Sequence, residues 1–273
     1  MKISASVADR PGVFSPFIFV GDLIEGMGRA QSIGYDTVEL FVLNPRETGI
    51  SKIADAVHSR NLSVSAIGPG LGSYRYGWTY SHPEEEIRKL AVERTKDGVL
   101  LAAEFKTSVN FGGMRGNLAD DPDLRKKQRG WILDAIRSTA EFAGPLGVSL
   151  GVEPINRYET NFINTAADAM EVVSEIDLPN VGVLLDSFHM NIEEQSIPEA
   201  IAAVGDRLVN FHFVDSNRLA PGWGHTDMGS IVAALRSVGY DRYLSMEILR
   251  KPAPQEAATQ ALLHTRKLLG AAV

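Results

Sequence analysis

Apolar positions along the chain follow two alternating rhythms. Short β-branched and apolar runs predict strands at 1–6, 37–42, 62–67, 107–111, 148–152, 181–186, 208–213 and 243–248. Longer stretches of helical period lie between them, at 22–33, 52–60, 83–103, 120–146, 165–176, from Ser196 onward, 229–238 and 255–269. Local signals mark several ends. Asp22 is placed to cap the first helix and Gly34 to stop it, Thr165 with Asp168 reads as a cap pair, and Ser196-Ile-Pro-Glu199 reads as a capping box. Regular strand–helix alternation implies a parallel sheet, and eight such units imply its closure. The expected fold is therefore an α/β class (β/α)8 TIM barrel, one domain over residues 1–273.

Composition narrows the function. The chain has 273 residues, 44% hydrophobic and 22% charged, so it can bury a core. The net charge of −7 disfavours nucleic acid as the main partner, because a phosphate-binding surface needs a basic patch. There is no cysteine, which excludes disulfides and thiolate metal sites. The first residues, MKISASVADR, lack a signal peptide's apolar core, and no run approaches the roughly 18 apolar residues of a membrane span. The expectation is a cytoplasmic protein without membrane contact.

Four predicted strands end in a group that an apolar strand should not carry. They are Glu153, followed by Pro154, then Asp186, His212 and Glu247, spaced 33, 26 and 35 positions apart. Each interval spans one strand, one helix and two loops. Parallel strands bring their C-terminal ends to one rim of a barrel, where active sites of this fold lie. A lone Asp or Glu at a strand end is commonly a helix cap or an ion-pair partner, but four in register point further. Three carboxylates and a neutral imidazole cannot share a small site without a cation. Oxygen-rich ligation with one nitrogen suits Mn²⁺, with Mg²⁺ or Co²⁺ as alternatives.

The segments EPINRYETNF, LLDSFHMNIEE, FHFVDSNRLAPGWGH and YLSMEI, within 151–248, resemble the sugar isomerase and epimerase family of xylose isomerase-like barrels. The pattern is near that of D-tagatose and D-psicose 3-epimerases and nearer still to 5-keto-L-gluconate epimerase. AIGPG and SHPEEEIR extend the resemblance loosely into the N-terminal half. It implies one divalent metal on Glu153, Asp186, His212 and Glu247. It also implies that Glu153 and Glu247 exchange protons with the carbon beside a ketose carbonyl, through a cis-enediolate. By the same resemblance Glu159, His189 and Arg218 contact the substrate, and Arg218 would suit the carboxylate of a keto-sugar acid. Family members commonly form homo-oligomers, dimers or tetramers.

Other residues carry two readings each. His225 lies in the loop after the seventh predicted strand, either at the far end of the substrate or as an ordinary loop residue. Trp223 and the Tyr74, Tyr76, Trp78, Tyr80 group form either a lid or an oligomer interface. Arg115 reads as a solvated arginine, with contact to an anionic substrate as the alternative, and Glu39, taken as the end of the second strand, as pocket lining or structure. His58, His82 and His264 read as solvated, capping or structural. The glycines of 68–72 lack the spacing of a nucleotide loop. Three competing functions share the barrel. An apurinic endonuclease would need more histidines on early strand ends. A lyase of inosose dehydratase or C-glycoside-cleaving type would share the first proton abstraction. A sugar-binding barrel without catalysis would not need the full residue set.

Overall fold

The structure is a computed structural model that describes residues 1–11 and 16–270. Its strands are β1 (Lys2–Ala8), β2 (Phe19–Val20), β3 (Thr37–Phe41), β4 (Ser63–Gly68), β5 (Ser108–Phe111), β6 (Ser149–Val152), β7 (Val181–Asp186), β8 (Leu208–His212) and β9 (Tyr243–Met246). All pair in parallel, in the order β2-β1-β3-β4-β5-β6-β7-β8-β9, and β9 pairs back onto β1. The eight long strands therefore close a barrel. β2 is a short addition, joined to Val7 and Ala8 above the Lys2–Ala5 stretch that β9 occupies.

Each strand is followed by a helix that turns its apolar stripe toward the sheet. In the helix Pro122–Ala143, Ile132, Ile136, Ala140 and Ala143 are buried one turn apart. In Ala166–Ile176 the corresponding residues are Ala169, Val172, Val173 and Ile176. The predicted caps form. Asp22 accepts from the Glu25 amide, Gly34 turns left-handed at φ 108°, and Thr165 and Asp168 close a reciprocal capping box. Ser196 accepts from the Glu199 amide.

Differences from the sequence reading are local. A short helix, Pro45–Thr48, precedes the second predicted helix, which runs Ile50–His58, and the glycine-rich segment leads into the helix Leu71–Tyr76. A helix not anticipated, Ser187–Glu193, follows β7 directly. Phe142 on the helix Pro122–Ala143 is exposed, with Lys96 against its ring. The barrel interior is not wholly aliphatic either. Ser4 and Ser65 share a hydrogen bond of 2.7 Å, Ser65 and Ser245 one of 3.3 Å, and Asn110, Asn210 and Glu39 are buried among them. Among the described residues no helix is long and apolar enough to cross a membrane.

Candidate metal centre and substrate site

Strand register sets the four predicted ligands at one height. Asp186 on β7 pairs with His212 on β8, and His212 with Ser245 on β9. Glu247 lies two positions beyond Ser245, so it shares that residue's inward face. Glu153 follows Val152 at the end of β6. All four are buried, Asp186 completely, and one ligand atom from each lies within 4.8 Å of the others. His212 Nδ1 stands 3.5 Å from Glu153, 3.6 Å from Asp186 and 3.7 Å from Glu247. Room for Glu153 depends on Gly112, where a Cβ would fall 2.1 Å from Glu153 Oε2.

Asp186 divides its two oxygens. Oδ1 accepts from the Phe188 amide at 2.7 Å and caps the helix Ser187–Glu193, while Oδ2 faces the cluster. Both Asp186 Oδ2 and His212 Nδ1 are buried without a hydrogen-bond partner. Such atoms are costly to desolvate unless something ligates them. A divalent cation fits this donor set and answers both orphans.

Electrostatics agree. Burial pushes the Glu247 carboxyl up, Arg218 and His212 offset part of this, and Glu153 and Asp186 add to it, leaving it at about 8. Burial opposes a charge on His212, but Glu39, Glu247, Asp186 and Glu153 hold its imidazole well above its ordinary range. Burial likewise raises Asp186, and His189, His212 and Arg218 bring it down to about 2. The cluster thus draws in positive charge, as protons when no metal is bound.

A family model described as xylose isomerase-like TIM barrel matches residues 27–268. The chain belongs to this family. Among relatives of this barrel, the L-ribulose 3-epimerase of Methylomonas sp. (strain DH-1) is 30% identical over 226 residues, covering 82% of this chain and 76% of that one. The ketose 3-epimerase of Arthrobacter globiformis is 37% identical over 219 residues, covering 78% and 73%. The crystal structure of 3-keto-D-glucoside 4-epimerase from E. coli superposes with a TM-score of 0.80 at 25% identity, covering 98% of this chain and 99% of that one. These relatives are epimerases, enzymes of the isomerase class.

The xylose isomerase-like barrel places the other predicted residues as follows. Arg218 sits at φ 59°, with its amide on Asp215 O and its carbonyl on the Leu249 amide. Its guanidinium bonds Glu247 and lies 3.6 Å from Glu159 and 3.8 Å from Asp186. His189 is buried, with Nε2 3.9 Å from Asp186 Oδ2. Burial, above all, pulls its pKa down to about 3, so the ring is neutral. Glu159 stands at the solvent edge beside a cavity of about 300 Å³ lined also by Tyr74, Thr79, Gly113, Asn117 and Thr160. His225 is exposed, its Nδ1 2.7 Å from Ser216 Oγ.

Several readings need correction. Arg115 is not solvated. It is 1% exposed and donates to the carbonyls of Gly112, Glu153, Phe162 and Ile163, clamping the loop after β5 to the one after β6. Burial lowers its pKa to about 10, and it remains a cation. Tyr80 belongs to no lid: it is buried with its hydroxyl 2.5 Å from Thr95 Oγ1. Tyr74 lines the cavity, while Tyr76 stacks on Trp78. Glu39 lies within β3, not at its end, and is fully buried against His212. Of the remaining histidines, His82 Nδ1 accepts from the Glu84 amide, His58 is exposed, and His264 packs beside Gly222.

Asn156, which the sequence did not single out, decides how His189 is presented. Asn156 Oδ1 accepts from the Tyr158 amide and its Nδ2 donates to Glu159, which fixes the orientation of the side-chain amide. Nδ2 and the Asn156 backbone N–H then both meet His189 Nδ1, at 2.7 and 3.4 Å. Two donors there require Nδ1 to accept, so the ring proton sits on Nε2.

Proposed function

We propose that the chain is a metal-dependent epimerase of a keto sugar, inverting the carbon beside the carbonyl. The observation that carries this is the buried cluster itself, in which two glutamates from different strand ends join Asp186 and His212, one ligand atom of each within 4.8 Å of the others. Glu153, Asp186, His212 and Glu247 would hold the cation, with Mn²⁺ favoured and Mg²⁺ or Co²⁺ as substitutes. When bound, the ion supplies positive charge to the substrate's carbonyl oxygen as the neighbouring C–H loses its proton.

The chain's own groups do the rest. One of Glu153 and Glu247 removes the proton, and the other returns one to the opposite face of the same carbon. His189 donates from Nε2 to a substrate oxygen, and Arg218 donates beside it with Glu159 as its brace. Substrate charge follows from the same contacts. Three carboxylates, Glu247, Glu159 and Asp186, already compensate Arg218, and Arg115 is buried with its N–H donors on backbone carbonyls, which disfavours a substrate carboxylate at either. A neutral ketose therefore fits better than the keto-sugar acid, in keeping with the relatives named for ribulose and ketose substrates.

The test is a ketose panel incubated with chelated protein and then with added Mn²⁺. Epimer should form only after metal is restored, and Glu153→Gln or Glu247→Gln should lower turnover by roughly 10²–10⁴-fold. Undiminished turnover after chelation, or in either variant, contradicts the reading. A product lighter by water or an aglycone would assign a lyase instead.

A further inference from the structure

The proposed mechanism does not use Glu39, a buried carboxyl beside the cluster. Glu39 is fully buried in the middle of β3, on the side of the His212 ring away from the cluster. Both its oxygens lie 3.2 Å from His212 Nε2, and Oε1 also accepts from Asn110 Nδ2 at 2.9 Å. We propose that Glu39 is a positioning residue of the metal centre: it binds no cation itself, holds the His212 ring with Nδ1 toward Glu153, Asp186 and Glu247, and strengthens cation binding there. The proposal rests on the reading of those four residues as metal ligands.

A carboxylate can only accept, so the ring proton facing Glu39 must be on Nε2. In the neutral ring that a ligand requires, this leaves the Nδ1 lone pair directed at the three carboxylates. With the ring pinned, Nδ1 does not have to be reoriented when a cation enters. The negative charge behind the ring also makes the imidazole a stronger donor. Asn110 fixes the carboxylate in turn, so the ring angle is set from β5 through β3 to β8. Lying beyond the imidazole, Glu39 cannot reach a substrate. Its influence on the reaction must pass through His212.

The experiment is titration of Mn²⁺ into chelated protein, followed by calorimetry and by the spin-resonance signal of free Mn²⁺. Wild type should take up one equivalent. Glu39→Gln keeps the shape and an accepting oxygen but loses the charge, and should bind about 10–100-fold more weakly. At saturating Mn²⁺ that variant should recover most of its kcat, which general structural damage would not permit. Equal affinity in the variant and wild type overturns the role of Glu39. Absence of binding in wild type overturns the metal reading instead. If the variants do not fold, the wild type still decides. With Mg²⁺ bound, ¹⁵N-labelled His212 should carry a slowly exchanging proton on Nε2, and a proton on Nδ1 would refute the proposal.

Discussion

Asp186 caps a helix with one oxygen and faces the candidate metal site with the other. A strand-end carboxylate can thus cap a helix and still turn an oxygen toward a shared site. The four cluster residues were legible because a polar, titratable group closing an apolar strand breaks its own pattern. Arg115, Glu39 and Asn156 were not. Arg115 answers backbone carbonyls, which leave no mark in a sequence, and Glu39 meets a histidine 173 positions away. Asn156 acts through the tautomer of another residue. Its effect is testable at this scale. Asn156→Asp replaces the donor at His189 Nδ1 with an acceptor and should move the ring proton to Nδ1, away from the substrate. Losing one hydrogen bond to a reacting group predicts a kcat/KM lower by about 10–100-fold in a folded protein. The imidazole ¹⁵N shifts of His189 and steady-state kinetics check it together. An unchanged tautomer with unchanged kinetics would refute it.

The loop after β8 presents Arg218 and His225, and Asp215 organises it. Its carboxylate accepts from the amides of Ser216, Gly222 and Thr226 at 2.8–3.1 Å. Gly224 is required there, since a Cβ would fall 2.1 Å from Asp215 Oδ1. Burial raises the Asp215 carboxyl, but the amides of Gly224, Ser216, Thr226 and Gly222 bring it below its usual range. That stability is present above the unfolded carboxylate range and is lost as pH falls. Asp215→Asn puts an NH₂ where an acceptor stood, at a cost of about 1–3 kcal/mol. Faster hydrogen exchange at Gly222 and Thr226 and a raised KM are expected. Wild-type exchange rates in the variant would remove Asp215 from this role. The anticipated elements were the long periodic ones. Leu71–Tyr76 and Ser187–Glu193 were missed because six or seven residues are too few to display a helical period. The strained loop after β6 was also hidden: Ile163 sits at φ 61°, held by Arg115 and the Ile155 amide, a conformation β-branched residues avoid.

For the whole molecule, alternation and count gave the closed barrel, and the same closure gathers the site. Gathering it stores repulsion. In the protein stripped of metal, Glu247 is raised from 4.5 to about 8 and His212 is raised as well. Glu247 then binds more protons folded than unfolded between about 4.5 and 8, and His212 does so only above its ordinary range near 6.5. Stability should therefore be greatest below about pH 4.5 to 5 for these groups and fall as pH rises toward 8. The slope is at most about 1.4 kcal/mol per pH unit for each proton. Bound Mn²⁺ replaces the protons and should flatten the curve. Thermal unfolding of chelated and Mn²⁺-loaded protein between pH 5 and 8 checks this. Equal melting temperatures for the chelated protein across that range would show that the cluster stores no such repulsion.

The central claim is that two glutamates flanking a metal centre move a proton on and off one carbon. Its most direct measurement is turnover of a ketose in D₂O, with the product examined by mass spectrometry and NMR. The account predicts one deuterium at the inverted carbon beside the carbonyl, with metal restored after chelation and none without it. Epimer formed with its original hydrogen retained at that carbon would contradict it.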